Sequence, residues 1–382
     1  MREMQFAAMV LTLMMAMILM TMLPAEVKDD RVANRSRWWM AGALLLLTVQ
    51  FLLQYVLGLR QEGVVQAVTL NLIFFIPCSM LLSMSVLNLQ QQGRTERRDW
   101  AVGGAVTLCV SGSFAVLALL IQNHAFTISP GSLLRLEVAG SIAYAAMQLY
   151  YSLRIGRLLR RMEYTLDDYY AQEQPGLLRW MKVSIGGLLV MALTVPAIIF
   201  TSGWPLALYG VFFIMAIVYL WFSLVRYIIS SEGRRMVLAA SSCEAEQDET
   251  TENSRTADPP NSQAEAKVEQ WVAEKGYLQH GLTKPAAAEA MGLTESQLSE
   301  WIRKAGYKTF RQWINALRID EASRQLKAHG DFNIGAIADL CGIDRSHFHR
   351  LFREHTGMTP AQYQQQESSG PEINTSTPSR GG

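Results

Sequence analysis

The sequence predicts an all-α protein in two unlike halves: an N-terminal seven-helix transmembrane bundle and a C-terminal unit of short amphipathic helices. Three observations carry this. Seven apolar stretches each approach the roughly 20 residues a helix needs to cross a bilayer. The composition then turns polar and acidic at about residue 239. Beyond that stretch helical periodicity returns, with two Gly-containing turns fifty residues apart. The net charge of +1 and mean hydropathy of +0.12 are averages over these halves and describe neither.

The apolar stretches run at about 5–24, 38–58, 64–88, 100–121, 132–152, 181–202 and 205–228. The fifth is the weakest, because Arg135 and Glu137 sit near its start. Pro77 and Pro196 are expected to kink the third and sixth. One set of connections holds Lys28, Arg31, Arg35 and Arg37, then Arg94, Arg97 and Arg98, then Arg154, Arg157, Arg160, Arg161, Arg179 and Lys182. Arg226, at the end of the last span, and Arg234 and Arg235 beyond it add to that same side. The alternate set holds only Arg2 and Arg60, with Arg135 at a helix mouth. The basic side is expected to be cytoplasmic, which puts the N-terminus outside and the C-terminal half inside. A cleaved leader over residues 1–25, ending near "LPA", is the alternative. It would leave six spans and export both the C-terminal half and the basic loop "EVKDDRVANRSR", against the charge pattern.

The expected division is a membrane domain over 1–235, an acidic linker over 236–264, a folded unit over 265–366 and a disordered tail over 367–382. The linker carries Glu244, Glu246, Asp248, Glu249, Glu252 and Asp258 against a lone Arg255, so it cannot bury a core. Cys78, Cys109, Cys243 and Cys341 have neither CxxC nor Cys/His spacing, which suggests no disulfide framework and no zinc site.

Within 265–366, "AAAEAMGLTESQLSEWI" aligns with "GAIADLCGIDRSHFHRLF", Gly292 falling against Gly342. Each copy reads as a short helix, a glycine turn, an N-cap candidate (Thr294, Asp344) and an amphipathic helix. Ala290, Leu293, Leu298, Trp301 and Ile302 are the apolar positions of the first, and Ala338, Ile343, Phe348, Leu351 and Phe352 those of the second. This is a tandem helix-turn-helix, in which each second helix offers its first turns to a DNA major groove. Between the copies, "TFRQWINALRIDEASRQLKAHG" reads as one rigid helix of about 18 residues, roughly 27 Å long. Such a spacer suits units that enter successive major grooves about 34 Å apart.

Residues 277–363 resemble the DNA-binding domain of the AraC/XylS family of bacterial transcription regulators, through "GLTKPAAAEAMGLTESQLSEWI", "WINALRIDEASRQL" and "IADLCGIDRSHFHRLFREHTGMTPAQY". The likeness covers about a quarter of the chain. It implies base contacts from Ser296, Ser299 and Glu300 in the first unit and from Ser346, His349 and Arg350 in the second, with Arg345 and Arg353 on phosphates. Arg350 is the leading candidate, since arginine can bond guanine O6 and N7 together. Two departures stand out. Glu300 occupies a position where a basic or amide residue is common, and the second turn reads one residue shorter than the commonest family version. Charge is also uneven. Residues 265–300 hold three lysines against six glutamates, whereas 301–365 hold ten Lys or Arg against six acids. Phosphate attraction is therefore expected mainly from the second unit and the connecting helix.

In the membrane half, Gln50, Gln54, Gln66 and Asn71 are expected in the outer halves of spans two and three, with Arg135 and Glu137 at the outer end of span five. They suit either a pocket for an outside cue or hydrogen bonds that hold the bundle together. The basic loop after span five, "LRIGRLLRRMEYTLDDYYAQEQPGLLRW", is long enough for a helix lying on anionic lipid, touching the linker or simply anchoring the orientation. The sequence has no Gly-rich phosphate loop, no HExxH and no nucleophile–base pattern, so no enzyme, cofactor or metal is expected. His347, His349 and His355 read as part of a DNA-facing helix rather than as ligands.

The expected function is a one-component transcription regulator of the bacterial inner membrane. Its partners are double-stranded DNA, the lipid bilayer, an unidentified small-molecule or peptide signal and a second copy of the chain. A transporter-like bundle reporting its substrate to the tail, and release of the tail by proteolysis in the linker, are the alternatives.

Overall fold

The computed structural model describes residues 2–23, 29–58, 64–123, 128–171, 203–229, 262–328 and 333–368, with scattered positions between 182 and 201. The acidic linker up to residue 261, half of the sixth expected span including Pro196, and the tail from residue 369 lie outside the described residues. The chain divides into two compact units, Met1–Met162 with Pro175–Ser241, and Glu163–Gln174 with Ser242–Gly382. Residues 163–174, placed by the sequence division in the membrane domain, group with the C-terminal unit.

The first unit contains α1 (Arg2–Thr21), α2 (Arg31–Leu57), α3 (Val64–Gln90), α4 (Arg97–Val106), α5 (Ser113–Gln122), most of α6 (Pro130–Tyr169) and α7 (Trp204–Ile229). Five helices are long and apolar enough to cross a membrane among the described residues: Arg2–Thr21, Arg31–Leu57, Ala67–Gln90, Arg97–Ile121 and Trp204–Ile229. The expected fifth span lies within α6, which is not one of these five; it continues as one helix to Tyr169. Pro77 sits inside α3, which runs unbroken through it. A π-helical turn, Thr107–Gly112, joins α4 to α5 and places Ser111 Oγ 3.0 Å from Leu72 O.

Where side chains drawn from water into lipid gain little by leaving lipid, small and polar residues must hold helices together. The α1–α2 and α2–α3 seams follow this rule. Thr12 and Thr48 hydroxyls meet at 2.9 Å, and Gln5 donates to Gln54 at 3.2 Å. Ser36 and Ser85 each donate to the other's carbonyl, at 3.0 and 2.8 Å. Asn88 reaches the Ser36 hydroxyl at 2.7 Å. Meanwhile Leu108, Val116, Leu119, Val211 and Met215 are exposed, as lipid-facing residues would be.

The second unit contains α8 (Ser262–Ala273), α9 (Lys284–Met291), α10 (Glu295–Lys304), α11 (Phe310–Ala328), α12 (Ile334–Leu340), α13 (Arg345–Thr356) and α14 (Pro360–Ser368). Its described residues form no β-strand; an isolated bridge pairs Tyr170 with Thr283. Two hydrophobic cores share α11. Phe310, Trp313 and Ile314 join the first with Trp271, Ala287, Leu298 and Ile302. Ile319, Ala322 and Leu326 join the second with Ile337, Ala338, Phe348 and Phe352. Trp313 is the centre of the first, its ring 5.8 Å from Trp271, 5.2 Å from Trp301 and 6.0 Å from Phe310. With 19 residues, α11 is about 28 Å long.

Between the two cores Arg318 is buried, donating Nε to Tyr277 O, Nη1 to Gly342 O and Nη2 to Gln279 O, each at 2.8 Å. Gly342, in the second turn, has φ +69°, and a Cβ there would meet Leu278 O at 3.1 Å and Arg318 Cζ at 3.2 Å. Gly292 has φ +62°, with only Lys267 Nζ nearby at 3.7 Å. Both replacements by alanine carry a left-handed backbone penalty of about 1–2 kcal/mol. The crowding at Gly342 adds to it, so Gly342→Ala is expected to lower the melting temperature of the unit more than Gly292→Ala. Equal shifts in thermal unfolding would show that Arg318 and Leu278 yield freely.

Candidate nucleic-acid interface

The two recognition helices begin in matching ways. Thr294 caps α10 by accepting from Gln297 N–H (3.2 Å), while Gln297 Oε1 accepts from Thr294 N–H (3.0 Å). Asp344 caps α13 by accepting from Ser346 N–H (2.8 Å), and it accepts from the Ser346 hydroxyl at 2.6 Å. These hydrogen bonds hold the Asp344 carboxyl below its usual pKa. The two glycine-to-cap intervals are the same length, and Leu293 N→Ala288 O and Ile343 N→Ala338 O, both 2.9 Å, close both turns alike. The fifty-residue offset therefore holds atom by atom through the turn. It extends further: Thr309 accepts from Gln312 N–H and Thr359 from Gln362 N–H, both at 3.3 Å, at the starts of α11 and α14.

With Leu298 and Ile302 buried on α10, and Phe348 and Phe352 buried on α13, the opposite faces are set. On α13 that face holds Ser346, His349, Arg350 and Arg353, all exposed. Arg350 Nη1 lies 3.1 and 3.2 Å from the two Glu354 carboxylate oxygens, an exposed pairing one helical turn apart. A hollow of about 540 Å³ beside it is lined by His349, Arg350, Arg353, Glu354 and Thr359. On α10 the matching positions are Ser296, Ser299, Glu300 and Arg303. Ser296 lies 3.2 Å from the Thr294 hydroxyl, and Ser299 Oγ donates back to Glu295 O at 2.7 Å. Glu300 pairs with Lys304 at 2.8 Å, and that hydrogen bond holds its carboxyl below the usual range.

Two roles look different in three dimensions. Arg345, expected on phosphate, ties α12 to α13: its Nε lies 3.1 and 3.0 Å from the two Asp339 oxygens, and Nη2 also bonds Asp339. The pairing raises the Arg345 pKa and lowers that of Asp339. Arg303 is absent from the sequence-based set, yet it stands fifty residues before Arg353 and is exposed like it. The repeat offset itself was the signal that could have found it. His355 Nε2 meets Asp320 Oδ1 on α11 at 3.0 Å. Among the described residues no group of three or more metal-ligating side chains occurs.

In the first unit, Gln50 and Gln54 both donate to Asn71 Oδ1, at 2.9 and 2.6 Å, and Gln5 joins them through Gln54. Glu137 is fully buried and accepts from Thr69 at 2.7 Å. Arg135 is not drawn into this cluster; it is exposed and bonds Gly131 O and Ser132 on its own helix. The Gln66 side chain lies outside the described residues. A larger hollow, about 730 Å³, is elsewhere on this unit and lined mainly by apolar residues, including Leu108, Val116 and Leu120.

Residues 287–366 match a family of helix-turn-helix domains, and the domain is of the AraC type that the sequence resembles. The chain is 33% identical over 89 residues to the uncharacterized HTH-type transcriptional regulator YijO of Escherichia coli K12, covering 23% of this chain and 31% of that protein. It is 30% identical over 94 residues to the uncharacterized HTH-type transcriptional regulator YpdC of the same strain, covering 24% and 32%. Over 86 residues it is 23% identical to the uncharacterized transcriptional regulatory protein YesN of Bacillus subtilis 168, covering 22% and 23%. The chain thus spans about a third or less of the length of these relatives. No solved structure matches.

Proposed function

We propose that this protein is a membrane-anchored transcription regulator whose two helix-turn-helix units bind double-stranded DNA under the control of a signal received in or across the bilayer. The observation that carries the reading is the presence, among the described residues of one chain, of five apolar helices of membrane-crossing length and a capped helix-turn-helix pair with a basic exposed face. Arg350 and His349 point to base readout and Arg353 to the backbone, since phosphate contacts position a protein and base contacts specify its site. Ser296, Ser299 and Glu300 form the weaker face, with Arg303 supplying its cation.

The Lys and Arg bias supports an N-terminus outside and a DNA-binding unit in the cytoplasm of a bacterial cell, at the inner membrane. Gln50, Gln54 and Asn71, with Glu137, are the candidate receivers of the cue, because each hydrogen bond there links two helices. Two tethered copies on paired sites would gain affinity through effective concentration. Genome-wide DNA binding by the tagged full-length protein tests the function: discrete sites with a shared motif are expected, and uniform background would refute it. Reporter fusions after residues 125 and 235 test the orientation, and a cytoplasmic signal at residue 125 would overturn it.

A further inference from the structure

The first helix-turn-helix carries a strap across its helix starts. Residues 163–174 belong to the DNA-binding unit, and Ala171 is buried in the core around Trp313. Ala171 N–H donates to Leu282 O at 3.1 Å, beside the Tyr170–Thr283 bridge, and Tyr164 OH donates to Lys308 O at 3.1 Å. Asp168 occupies the corner between α9 and α11. Its Oδ2 accepts from Lys284 Nζ at 2.6 Å and its Oδ1 from Phe310 N–H at 3.0 Å. Asp167 pairs with Arg311, whose Nε also reaches Tyr170 O at 3.2 Å. The Lys284 side chain is only 5% exposed, so its charge requires a partner of opposite sign.

A cationic side chain beside a free helix N–H is also how proteins hold backbone phosphates of DNA. The repeat says where this corner stands relative to DNA. Thr309 and Phe310 occupy the positions of Thr359 and Pro360, and Thr359 lines the hollow of His349, Arg350 and Arg353. The start of α11 therefore flanks the Ser299–Glu300–Arg303 face as the start of α14 flanks the Arg350 face. In the second unit, Asn333 caps α12 and Thr359 caps α14.

We propose that Lys284, Arg311 and the Phe310 N–H form a backbone-phosphate site of the first unit, and that Asp167 and Asp168 hold it closed as an internal phosphate mimic. The proposal rests on the DNA-binding reading above. The strap includes the C-terminal end of α6, so a cue that unseats that end would carry the carboxylates off the corner. The first unit, weak by its own side chains, would then gain two cations and a helix start at once. A cue could in this way switch binding from one unit to two.

The test uses full-length protein in detergent and a random-sequence duplex about four helical turns long. Asp167→Asn/Asp168→Asn is compared with the charge-matched Glu265→Gln/Glu269→Gln, both glutamates being exposed on α8. The strap variant is expected to bind roughly five- to twentyfold tighter at low salt, with a log–log salt slope steeper by about one to two, each newly engaged cation adding about 0.9. The control is expected to shift affinity less than about twofold with the slope unchanged. Identical behaviour of the two variants, or weaker binding by a folded strap variant, overturns the proposal. A second arm holds the strap down with a Tyr170→Cys/Thr283→Cys crosslink. Tighter binding after reduction supports the latch, and unchanged binding refutes it even where the Asn variant fails to fold. If the wild-type protein does not bind duplex DNA at low salt at all, the DNA-binding reading itself fails, which is a separate outcome.

Discussion

Arg318→Met is expected to destabilise the DNA-binding unit by about 2–4 kcal/mol, because a buried carbonyl stripped of its partner costs about 1–3 kcal/mol. Three carbonyls, of Tyr277, Gln279 and Gly342, depend on this one guanidinium. Relief of the buried charge offsets part of the loss, since methionine packs without desolvation. Burial pulls the Arg318 pKa down to about 10, which leaves it charged at neutral pH. Folded-state depression of a basic group means that the charged form is disfavoured by folding, so the hydrogen bonds must outweigh that penalty. The same side chain joins the segment after α8 to the turn of the second helix-turn-helix, so its loss should loosen the turn as well as lower global stability. Hydrogen exchange followed by mass spectrometry should show faster exchange around 277–279 and 341–343 than in α10. Unchanged protection at those segments would mean that water replaces the guanidinium at little cost.

Arg350→Ala is expected to weaken specific DNA binding by about 1–3 kcal/mol, roughly five- to 150-fold, the worth of a bidentate base contact. Glu300→Ala, at the matching position of the first unit, is expected to change affinity less than about threefold, because the carboxylate repels phosphate and its removal frees Lys304. In the free protein Arg350 pairs with Glu354, an exposed pairing of small energy that a guanine edge can replace. The measurement is a titration of full-length protein and variants against one selected binding site at fixed salt. Equal losses for the two substitutions would sink the polarised reading, and a loss confined to Glu300→Ala would reverse it.

Much of this was legible in the sequence because it is local. Thr294 and Asp344 cap their helices as their type and position require, and Gly292 and Gly342 take the left-handed conformation that turn glycines permit. Apolar positions four apart, Leu298 with Ile302 and Phe348 with Phe352, face the two cores as periodicity says they must. Arg303 was missed although the fifty-residue offset points to it, because it lies in the last turn of α10 and not in the first turns that enter a groove. The Asp339 partner of Arg345 was not legible for a different reason. Asp339 lies six residues earlier across a turn, and only the angle between α12 and α13 brings the pair together.

By composition and period alone, the chain determined that it is all-helical, that its first half is apolar over membrane-crossing lengths, and that its second half is a doubled helix-turn-helix. Those properties reside in neighbours within one or two turns, where side-chain spacing dictates which face is buried. Folding in three dimensions decided the rest. It set Arg318 among three carbonyls, gathered Gln50 and Gln54 onto Asn71, left Arg135 outside that cluster, and seated Asp167 and Asp168 on Lys284 and Arg311. Each of these is a polar group whose partner is remote in sequence or lies round a turn. A buried donor or charge must find an acceptor somewhere, but which one it finds depends on the chain's path through space, and no local period records that path.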